Sequence, residues 1–446
     1  MRKNYILAYS AVLFTLSSCL DTEPETAIDA DNVIADQKSA EVALVGAYSG
    51  AQSFAGVSVV AFNSAADNVV ASTSTLNVIP HLQAAGSSAF DPTSGGGYNT
   101  YYSAINLINS IIDGVNSLND GAFTGSNKSR ILGEAHFLRA LAYFDLARTY
   151  GRVPIVLHPS TSGHSADGIT QSSREEVYAQ VLADLTEAES LFDNSLSSPA
   201  RASIWSAYAL HARLALYTED WQSAATYASK VIESGLFSLT TTPDGFFSNK
   251  LSSEAILELV FSTSDRNPFF TYYLSAAEGG RLDYVPNPEF VQILNEPSVA
   301  GLRSQFVKVN SNGIYVIREY DRQDGSSSIF LLRLAEQYLI RAEARAHLGD
   351  LDGAVEDLNV IRRRAAVEEI STSGLSVDAF LLALETERRV ELAFEGHRYS
   401  DVIRTGRAAE VFGAYNENYK DSRYWVFPLP NNVILADPDL TQNPGY

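Results

Sequence analysis

The chain has 446 residues, of which 46% are hydrophobic and 19% are charged, a composition typical of a soluble globular protein. Its formal net charge of -21 would repel phosphate backbones and anionic lipid surfaces, so no nucleic-acid role is expected. A single cysteine, Cys19, rules out an internal disulfide and a zinc site built from several thiolates.

The N-terminus has the pattern of an export signal. Arg2 and Lys3 precede a mostly apolar segment at 5–16, which is too short to span a bilayer as a helix. Leu-Ser-Ser at 16–18 then places small residues directly before Cys19. This arrangement resembles the lipobox of bacterial lipoproteins, in which cleavage leaves the cysteine as the acylated first residue.

We therefore predict a signal peptide at 1–18, an acylated Cys19 and tether at 19–40, and a single domain at 41–446. Two or more acyl chains give stable anchoring, because each buried methylene contributes roughly 0.8 kcal/mol. The acidic residues Asp21, Glu23 and Glu25 resemble the surface-export signal of lipoproteins in Bacteroidetes-type outer membranes. An ordinary secretory signal with a chance cysteine is the alternative.

Two segments in the first half predict long helices. The stretch "ILGEAHFLRALAYFDLARTYG" at 131–151 is apolar on most sides, as in a helix packed between neighbours, and Gly151 is expected to end it. Ser173 and Glu176 have the spacing of a capping box, and the apolar positions that follow lie on one face through Phe192.

An internal repeat relates two later segments. Placing Asp220 over Asp350 aligns alanines and large apolar residues along "HARLALYTEDWQSAATYASKVI" and "RAEARAHLGDLDGAVEDLNVI". Both resemble tetratricopeptide units, which consist of a helix, a turn and a helix. "DLDGAVED" is interpreted as the turn of such a pair and not as a calcium loop, because its glycine comes too early.

The predicted fold class is mostly α, a stack of about four tetratricopeptide-like helical pairs with a loop-rich second half that carries a few short strands. The pairs are placed within about 99–234 and 331–400, with a long insertion around 152–172. Short strands are predicted in "EAILELVFS" at 254–262 and "GIYVIREYD" at 313–321. Gly, Pro, Asn and Ser clusters mark 62–98 and 235–330 as loop-rich regions, where function is expected.

No sequence motif indicates an enzyme. The seven histidines never adopt an H-E-x-x-H spacing, and no G-x-S-x-G, P-loop or G-x-G-x-x-G motif occurs. The 53 acidic residues neither nominate nor rule out a glycosidase-type carboxylate pair. We predict no catalysis, no metal site and no cofactor.

A charged cluster lies near the C-terminus. In "ETERRVELAFEGHRYSDVIRTG", Glu385 with Arg389 and Arg388 with Glu391 have the spacing of surface ion pairs. The alternative is a catalytic role for one of three residues, Glu387, Glu391 or His397. The structural interpretation is favoured, because Gly396 is expected to end the helix and the arginines can tie the next segment to it.

Four segments carry a family resemblance. "ERRVELAFEGHRYSDVIRTG" resembles the C-terminal signature of the SusD-like (RagB/SusD) family of outer-membrane nutrient-binding lipoproteins. "EAHFLRALAYFDLARTYGRVPIVL" is similar to its N-terminal helix, and "LLRLAEQYLIRAEARAHLGD" to its last repeat. "WVFPLPNNVILADPDLTQNPGY" is similar to its closing segment, so the resemblance spans nearly the whole chain.

The resemblance implies a helical scaffold that supports an irregular ligand-binding half. It also implies delivery of oligosaccharides, or of peptides in the RagB branch, to a SusC-like TonB-dependent transporter without catalysis. The transporter is expected to meet the helical face, and the ligand the loops. Localisation is expected to be the outer membrane at the cell surface, through a lipid anchor.

Candidate ligand-binding residues are aromatic and polar side chains of the two loop-rich regions, where rings occur without a helical period. An exposed ring can stack on the apolar face of a sugar, and polar groups can bond its hydroxyls. The candidates are Asp67, Asn68, His81, Tyr98, Phe269, Phe270, Tyr272, Tyr273, Arg281 and Tyr284.

Three hypotheses remain open from the sequence. The leading one is a surface glycan-binding lipoprotein that serves a transporter. The second is an oligopeptide or glycopeptide receptor on the same fold, and the third is a lipid-anchored glycoside hydrolase. A cytoplasmic tetratricopeptide scaffold fits less well, because the N-terminal signal contradicts it.

Overall fold

The computed structural model describes residues 34–72, 96–160 and 168–446, and most of these residues are helical. The helices are α1 (Gln37–Ala65), α2 (Gly96–Ser117), α3 (Asn127–Tyr150), α4 (Arg174–Leu191), α5 (Ile204–Tyr217), α6 (Trp221–Ile232), α7 (Gly245–Ser248), α8 (Phe269–Tyr273), α9 (Pro288–Leu294), α10 (Leu334–His347), α11 (Leu351–Arg364), α12 (Val377–Glu391), α13 (Arg398–Arg404), α14 (Ala408–Val411) and α15 (Asn431–Ala436). Short 3-10 turns lie at Asp120–Ala122, Ala276–Glu278, Gly301–Phe306, Glu417–Lys420 and Ser422–Tyr424.

The long helices pack in pairs that stack against one another. The pairs are α1 with α2, α3 with α4, α5 with α6, and α10 with α11. Helix α6 also packs against α10, so the stack continues across the loop-rich insertion between them. The predicted mostly helical fold of about four pairs is confirmed.

The predicted internal repeat is visible in the turns of two pairs. The Asp220 side chain accepts a hydrogen bond from the Ser223 amide at 3.0 Å, and the Asp350 side chain accepts one from the Gly353 amide at 3.0 Å. Both aspartates therefore cap the second helix of their pair in the same way. The stretch "DLDGAVED" thus begins at the turn between the two helices of a pair, as predicted.

Helix α1 was not predicted as an element. It begins within the predicted tether at 19–40 and ends at Ala65, within the predicted loop region at 62–98. Its length and mean hydropathy of 1.2 would suffice for a membrane span, but 56% of that apolar window is buried inside the protein. It is therefore a core helix, and it approaches α2 closely: a Cβ added at Gly50 would lie 2.9 Å from the Ala104 side chain.

Two predicted helix boundaries are confirmed. Helix α3 ends at Tyr150, and Gly151 follows with a φ of 75°, a conformation that a glycine adopts without strain. At the start of α4 the Glu176 amide donates to the Ser173 hydroxyl at 3.2 Å. The Glu176 carboxylate accepts from the Ser173 amide at 2.7 Å, which completes the capping box.

The described strands form four antiparallel two-stranded sheets. They are β1 (Val69–Ala71) with β5 (Tyr284–Pro286), β2 (Val153–Pro154) with β3 (Gln171–Ser172), β4 (Ala255–Leu259) with β8 (Ile329–Arg333), and β6 (Val307–Val309) with β7 (Tyr315–Ile317). Both predicted strands are confirmed as β4 and β7, with shorter bounds. Pairing of β1 with β5 brings the end of α1 next to the loop-rich second half.

Candidate ligand-binding site

A cavity of about 510 Å³ opens between α1, the start of α2 and the segment at 261–284. Its volume is within the range of about 300–1,000 Å³ that is usual for small-ligand pockets. It lies where the two predicted loop-rich regions meet: Ser64 and Gly97 come from the first, and Tyr272 and Tyr284 from the second.

One wall of the cavity is a face of α1 built from small side chains. Ser49, Ser53, Gly56, Val60 and Ser64 line the cavity, and their spacing of three or four residues places them on one side of the helix. A Cβ added at Gly56 would lie 3.6 Å from the Phe269 ring, which is an ordinary contact. Packing alone therefore does not require a glycine here, and its missing side chain leaves the space open.

The opposite wall is aromatic. Phe269, Tyr272 and Tyr284 line it, with Phe269 only 1% exposed and the two tyrosines half-buried. The ring centroids of Tyr272 and Tyr284 are 6.5 Å apart. Burial raises the pKa of Tyr284 to about 12, so its phenol keeps its proton at neutral pH.

Tyr273 supports this wall from behind. It is 1% exposed and stacks on Tyr320 with ring centroids 5.5 Å apart. Its ring also lies 6.3 Å from that of Tyr284. Tyr273 therefore fixes the position of the aromatic wall and does not face the cavity.

The polar and charged side chains around the cavity bind to other groups of the protein. The Gln52 amide nitrogen donates to the Asp265 carboxylate and to the Val260 carbonyl, both at 3.0 Å. The Arg281 guanidinium pairs with Asp283 at 2.5 Å, and its central carbon lies 5.5 Å from the Tyr272 ring centroid. Arg281 therefore lies beside the aromatic wall, with its side chain 58% exposed.

Asp67 and Asn68, two of the predicted ligand-binding residues, do not line the α1 cavity. Asp67 is 4% exposed and its carboxylate pairs with Arg398 and Arg389, each at 2.9 Å. Burial alone would raise the pKa of Asp67, but the two arginines outweigh it and lower the pKa. Asn68, 1% exposed, donates to the Ala393 carbonyl at 3.0 Å. In place of the predicted ligand contact, both side chains tie β1 to the C-terminal signature.

The other predicted site residues divide into two groups. Tyr98 is 4% exposed in α2, where its ring packs against Tyr102 and Tyr150 at centroid distances of 4.8 and 5.3 Å. Cys19, His81 and the side chain of Phe270 lie outside the described residues, so their roles stay predictions.

Two further cavities of about 500 and 510 Å³ lie between helical pairs in the described chain. The first is lined by Arg388 and Arg404 and by Asp401, whose carboxylate pairs with each arginine at 2.9 Å. The α1 cavity is the better candidate, because it combines non-periodic aromatic residues with hydroxyl groups on loops and on one helix face.

The C-terminal signature is a buried ion-pair network, so the predicted surface pairs are wrong. Arg388 is 3% exposed and binds Asp401 at 2.9 Å, and Glu385 binds Arg398 at 2.8 Å. Glu391 is fully buried and is held by three arginines, Arg303, Arg333 and Arg364. Helical spacing identifies neighbours on the helix surface, but a buried face must find its partners on other elements.

These contacts favour the structural interpretation of the cluster. Glu387, one of the three catalytic alternatives, is 1% exposed and bound to Arg303 at 2.6 Å. His397 is also buried, and burial lowers its pKa to about 3. The contact from Arg388 to Asp401 ties α12 to α13, as predicted for the arginines of this segment.

The network sets opposite pKa shifts on two of its carboxylates. Burial alone would raise the pKa of Glu391, but its three arginine partners outweigh burial and lower it to about 2. Burial raises the pKa of Glu395 to about 7, in spite of its pairing with Arg333 at 2.8 Å. The two groups therefore respond to pH in opposite directions.

The free energy of unfolding is expected to fall steeply as the pH drops from 4.5 toward 3. In that window Glu391 binds a proton in the unfolded chain but not in the folded protein, where its pKa is about 2. His397, with a folded pKa of about 3, also binds its proton more readily in the unfolded chain, so it lowers stability in the same window. Glu395 has the opposite effect, because its folded pKa of about 7 is above its unfolded value. The stability that protonated Glu395 contributes is therefore lost as the pH rises from 4.5 to about 7. Glu395→Gln should therefore gain stability relative to the unsubstituted protein between pH 4.5 and 7.

Denaturant titrations at a series of pH values check both parts. A stability that rises toward pH 3, or a Glu395→Gln difference that is constant between pH 4.5 and 7, would contradict the assigned shifts.

Among the residues that the structure describes, no group of three or more His, Cys, Asp or Glu side chains is placed to hold a metal ion.

Two family models match this chain. One, described as the SusD family, matches residues 308–446. The other, described as "Starch-binding associating with outer membrane", matches residues 19–216. Together they include both ends of the fold, with the predicted lipid-attachment residue at the start of the second match.

Curated relatives are similar over most of their length. A protein named SusD-like protein P38 from Formosa agariphila is 28% identical over 381 residues, which cover 71% of this chain and 74% of that protein. A SusD-like protein from Bacteroides ovatus is 25% identical over 412 residues, which cover 79% of this chain and 72% of that protein.

Solved structures share the fold. A SusD superfamily protein from Bacteroides vulgatus superposes with a TM-score of 0.80 at 22% identity, over 92% of this chain and 99% of that one. A laminarin-binding SusD-like protein gives a TM-score of 0.76 at 23% identity, over 92% and 100% of the two chains. A putative sugar-binding protein from Bacteroides vulgatus gives 0.78 at 25% identity, over 93% and 99%.

Proposed function

The chain belongs to the SusD-like family, and on that premise we propose that it binds glycans at the bacterial cell surface. The observation that carries the proposal is the α1 cavity, where Tyr272 and Tyr284 face a helix wall of small and hydroxyl-bearing residues. Aromatic rings offer apolar faces to a sugar ring, and hydroxyl groups offer hydrogen bonds to its rim. Laminarin binding by a structural neighbour supports this ligand chemistry.

Within the cavity we propose Phe269, Tyr272 and Tyr284 as ligand-contacting residues, with Arg281 at the rim. Gly56 and the serines of α1 form the facing wall. Tyr273 holds the aromatic wall in place from behind.

We further propose that the bound glycan passes to a SusC-like TonB-dependent transporter and that no chemistry occurs on the way. The sequence resemblance supports this step. The charged cluster that offered a catalytic alternative also supports it, because Glu387 and Glu391 are 1% and 0% exposed and engaged by arginines. Cofactors are not needed for such a role.

A calorimetric titration of the protein against a panel of neutral and charged oligosaccharides tests this function. Saturable binding is expected, with no new reducing ends after prolonged incubation of the mixture. Binding of oligopeptides alone would favour the peptide receptor, and release of reducing ends would favour a hydrolase.

Outer-membrane attachment through Cys19 is part of the proposal. The description of the matching family model, with its reference to the outer membrane, and the apolar segment before Cys19 support it. Cys19→Ala is expected to move the protein from the membrane fraction to the soluble fraction, because it removes the acylated thiol. Ser18→Ala, which keeps a small residue before the cysteine, serves as the control and should leave the protein on the membrane. A Cys19→Ala protein that stays there would contradict the anchor.

A further inference from the structure

We infer that the α1 cavity selects uncharged glycans and rejects glycans that carry carboxylate or sulfate groups. The inference rests on the proposed function and concerns the ligand class of the same site. It follows from two features of the cavity: three hydroxyl groups of its wall are set to accept hydrogen bonds, and its charged lining residues are one of each sign.

Three hydroxyl groups of the cavity wall donate their protons to backbone carbonyls. Ser53 donates to the Ser49 carbonyl at 3.1 Å, Ser64 donates to the Ala61 carbonyl at 3.0 Å, and Thr100 donates to the Gly97 carbonyl at 2.7 Å. A hydroxyl has one proton and two lone pairs, so each oxygen is left as an acceptor. Such a wall suits a ligand that donates many hydrogen bonds, as a neutral sugar does.

The amide of Gln52 and the guanidinium of Arg266, which line the cavity, also donate to other protein groups. Both protons of the Gln52 amide are taken by the Val260 carbonyl and the Asp265 carboxylate. The guanidinium of Arg266 donates to the backbone carbonyls of Asp324 and Gln323, each at 3.0 Å. The phenol groups of Tyr272 and Tyr284 remain as donors, but they are uncharged, so a carboxylate or sulfate gains no opposite charge from them.

The charge around the cavity is balanced before any ligand arrives. Its charged lining residues, within the described part of the chain, are Asp265 and Arg266, one of each sign. Nearby Arg281 is neutralised by Asp283 at 2.5 Å.

An anionic sugar would therefore lose water, and the cations that it meets, Arg266 and Arg281, already bind other groups of the protein. Burying a charge is unfavourable unless a partner compensates it, and the net charge of -21 adds a repulsive background. A neutral sugar does not meet either penalty. Charge therefore separates the two classes of glycan.

The test is an array of oligosaccharides in which neutral and anionic members are matched, such as hexagalacturonate and its fully methyl-esterified form. At low salt we expect ligands among the neutral members, with each anionic counterpart bound at least about tenfold more weakly. An anionic member that binds as tightly as the best neutral one would overturn the inference and leave the proposed function standing. Absence of binding to every glycan would overturn both.

Ser53→Arg provides a gain-of-function check. Ser53 is exposed at the cavity wall, so the new guanidinium can meet an anionic ligand there. Affinity for hexagalacturonate is expected to rise by roughly tenfold at low salt and to lose this gain at high salt.

The matched control is Ser190→Arg. Ser190 is likewise exposed on a helix and donates to a carbonyl of its own helix, that of Glu187, at 2.9 Å, but it does not line the cavity. This variant adds the same charge and should give no gain. Equal gains in both variants, or none at Ser53, would contradict the inference.

Discussion

Replacing Arg333 with methionine is expected to lower the free energy of unfolding by about 3–5 kcal/mol. Arg333 is 2% exposed and binds the carboxylates of Glu254, Glu391 and Glu395 at 2.7, 2.7 and 2.8 Å. Its loss leaves these buried carboxylates without the cation they share. Urea unfolding at neutral pH, followed by circular dichroism, measures the change.

Arg363→Met is the matched control for this prediction. The Arg363 side chain is 62% exposed and pairs with Glu369 at 2.9 Å on the surface of α11. Exposed pairs contribute about 0–1 kcal/mol, so this variant should unfold almost like the unsubstituted protein. Similar small losses in both variants would show that the buried network does not stabilise the fold.

The second large effect concerns the aromatic wall. Tyr272→Ala is expected to weaken glycan binding by about 30-fold or more, because aromatic anchors that become buried in the complex typically contribute about 2 kcal/mol or more to binding. Tyr272 lines the cavity and is only half-buried, so its removal should leave the fold intact. Calorimetric titration with an oligosaccharide that binds the unsubstituted protein measures the loss.

Tyr315→Ala and Tyr273→Ala make this result interpretable. Tyr315 is 39% exposed on β7 and does not line the cavity, so its removal should leave affinity unchanged. Tyr273 is 1% exposed, and its removal should lower stability together with affinity. Unchanged affinity in Tyr272→Ala, for a confirmed ligand, would place the binding site elsewhere.

The helical scaffold could be predicted because its signals are local. Gly151 ends α3, and Asp220 and Asp350 cap equivalent helices, each through contacts within a few residues of the chain. Helix α3 is apolar on most sides, which predicted its position between neighbours. Such features depend on hydrogen bonds and side-chain spacing that one short segment supplies by itself.

The surroundings of Asp67 and the C-terminal cluster could not be predicted in the same way. Asp67 meets Arg398, more than 300 positions later in the chain, and no local pattern indicates that contact. The charges of α12 have a spacing that also suits a solvated helix face. Burial of that face decides the pairing, and burial depends on the folded arrangement of distant elements.

One of the two walls of the candidate site could be predicted from the sequence. The aromatic residues around Tyr272 and Tyr284 lack a helical period, and this pattern predicts that the segment contributes to a binding site. The facing wall was missed: around Gly56, α1 presents alanine, glycine and serine, which give only a weak apolar stripe. The signal that remained was the three- and four-residue spacing of Ser49, Ser53 and Gly56, which a search for small-residue helix faces would detect.

The most direct test of the central claim is a crystal structure of this protein with a bound neutral oligosaccharide. The predicted result is a sugar ring against Tyr272, between α1 and the segment at 261–284, with its hydroxyl groups directed toward the serines of α1. An oligosaccharide bound away from this cavity would contradict the account.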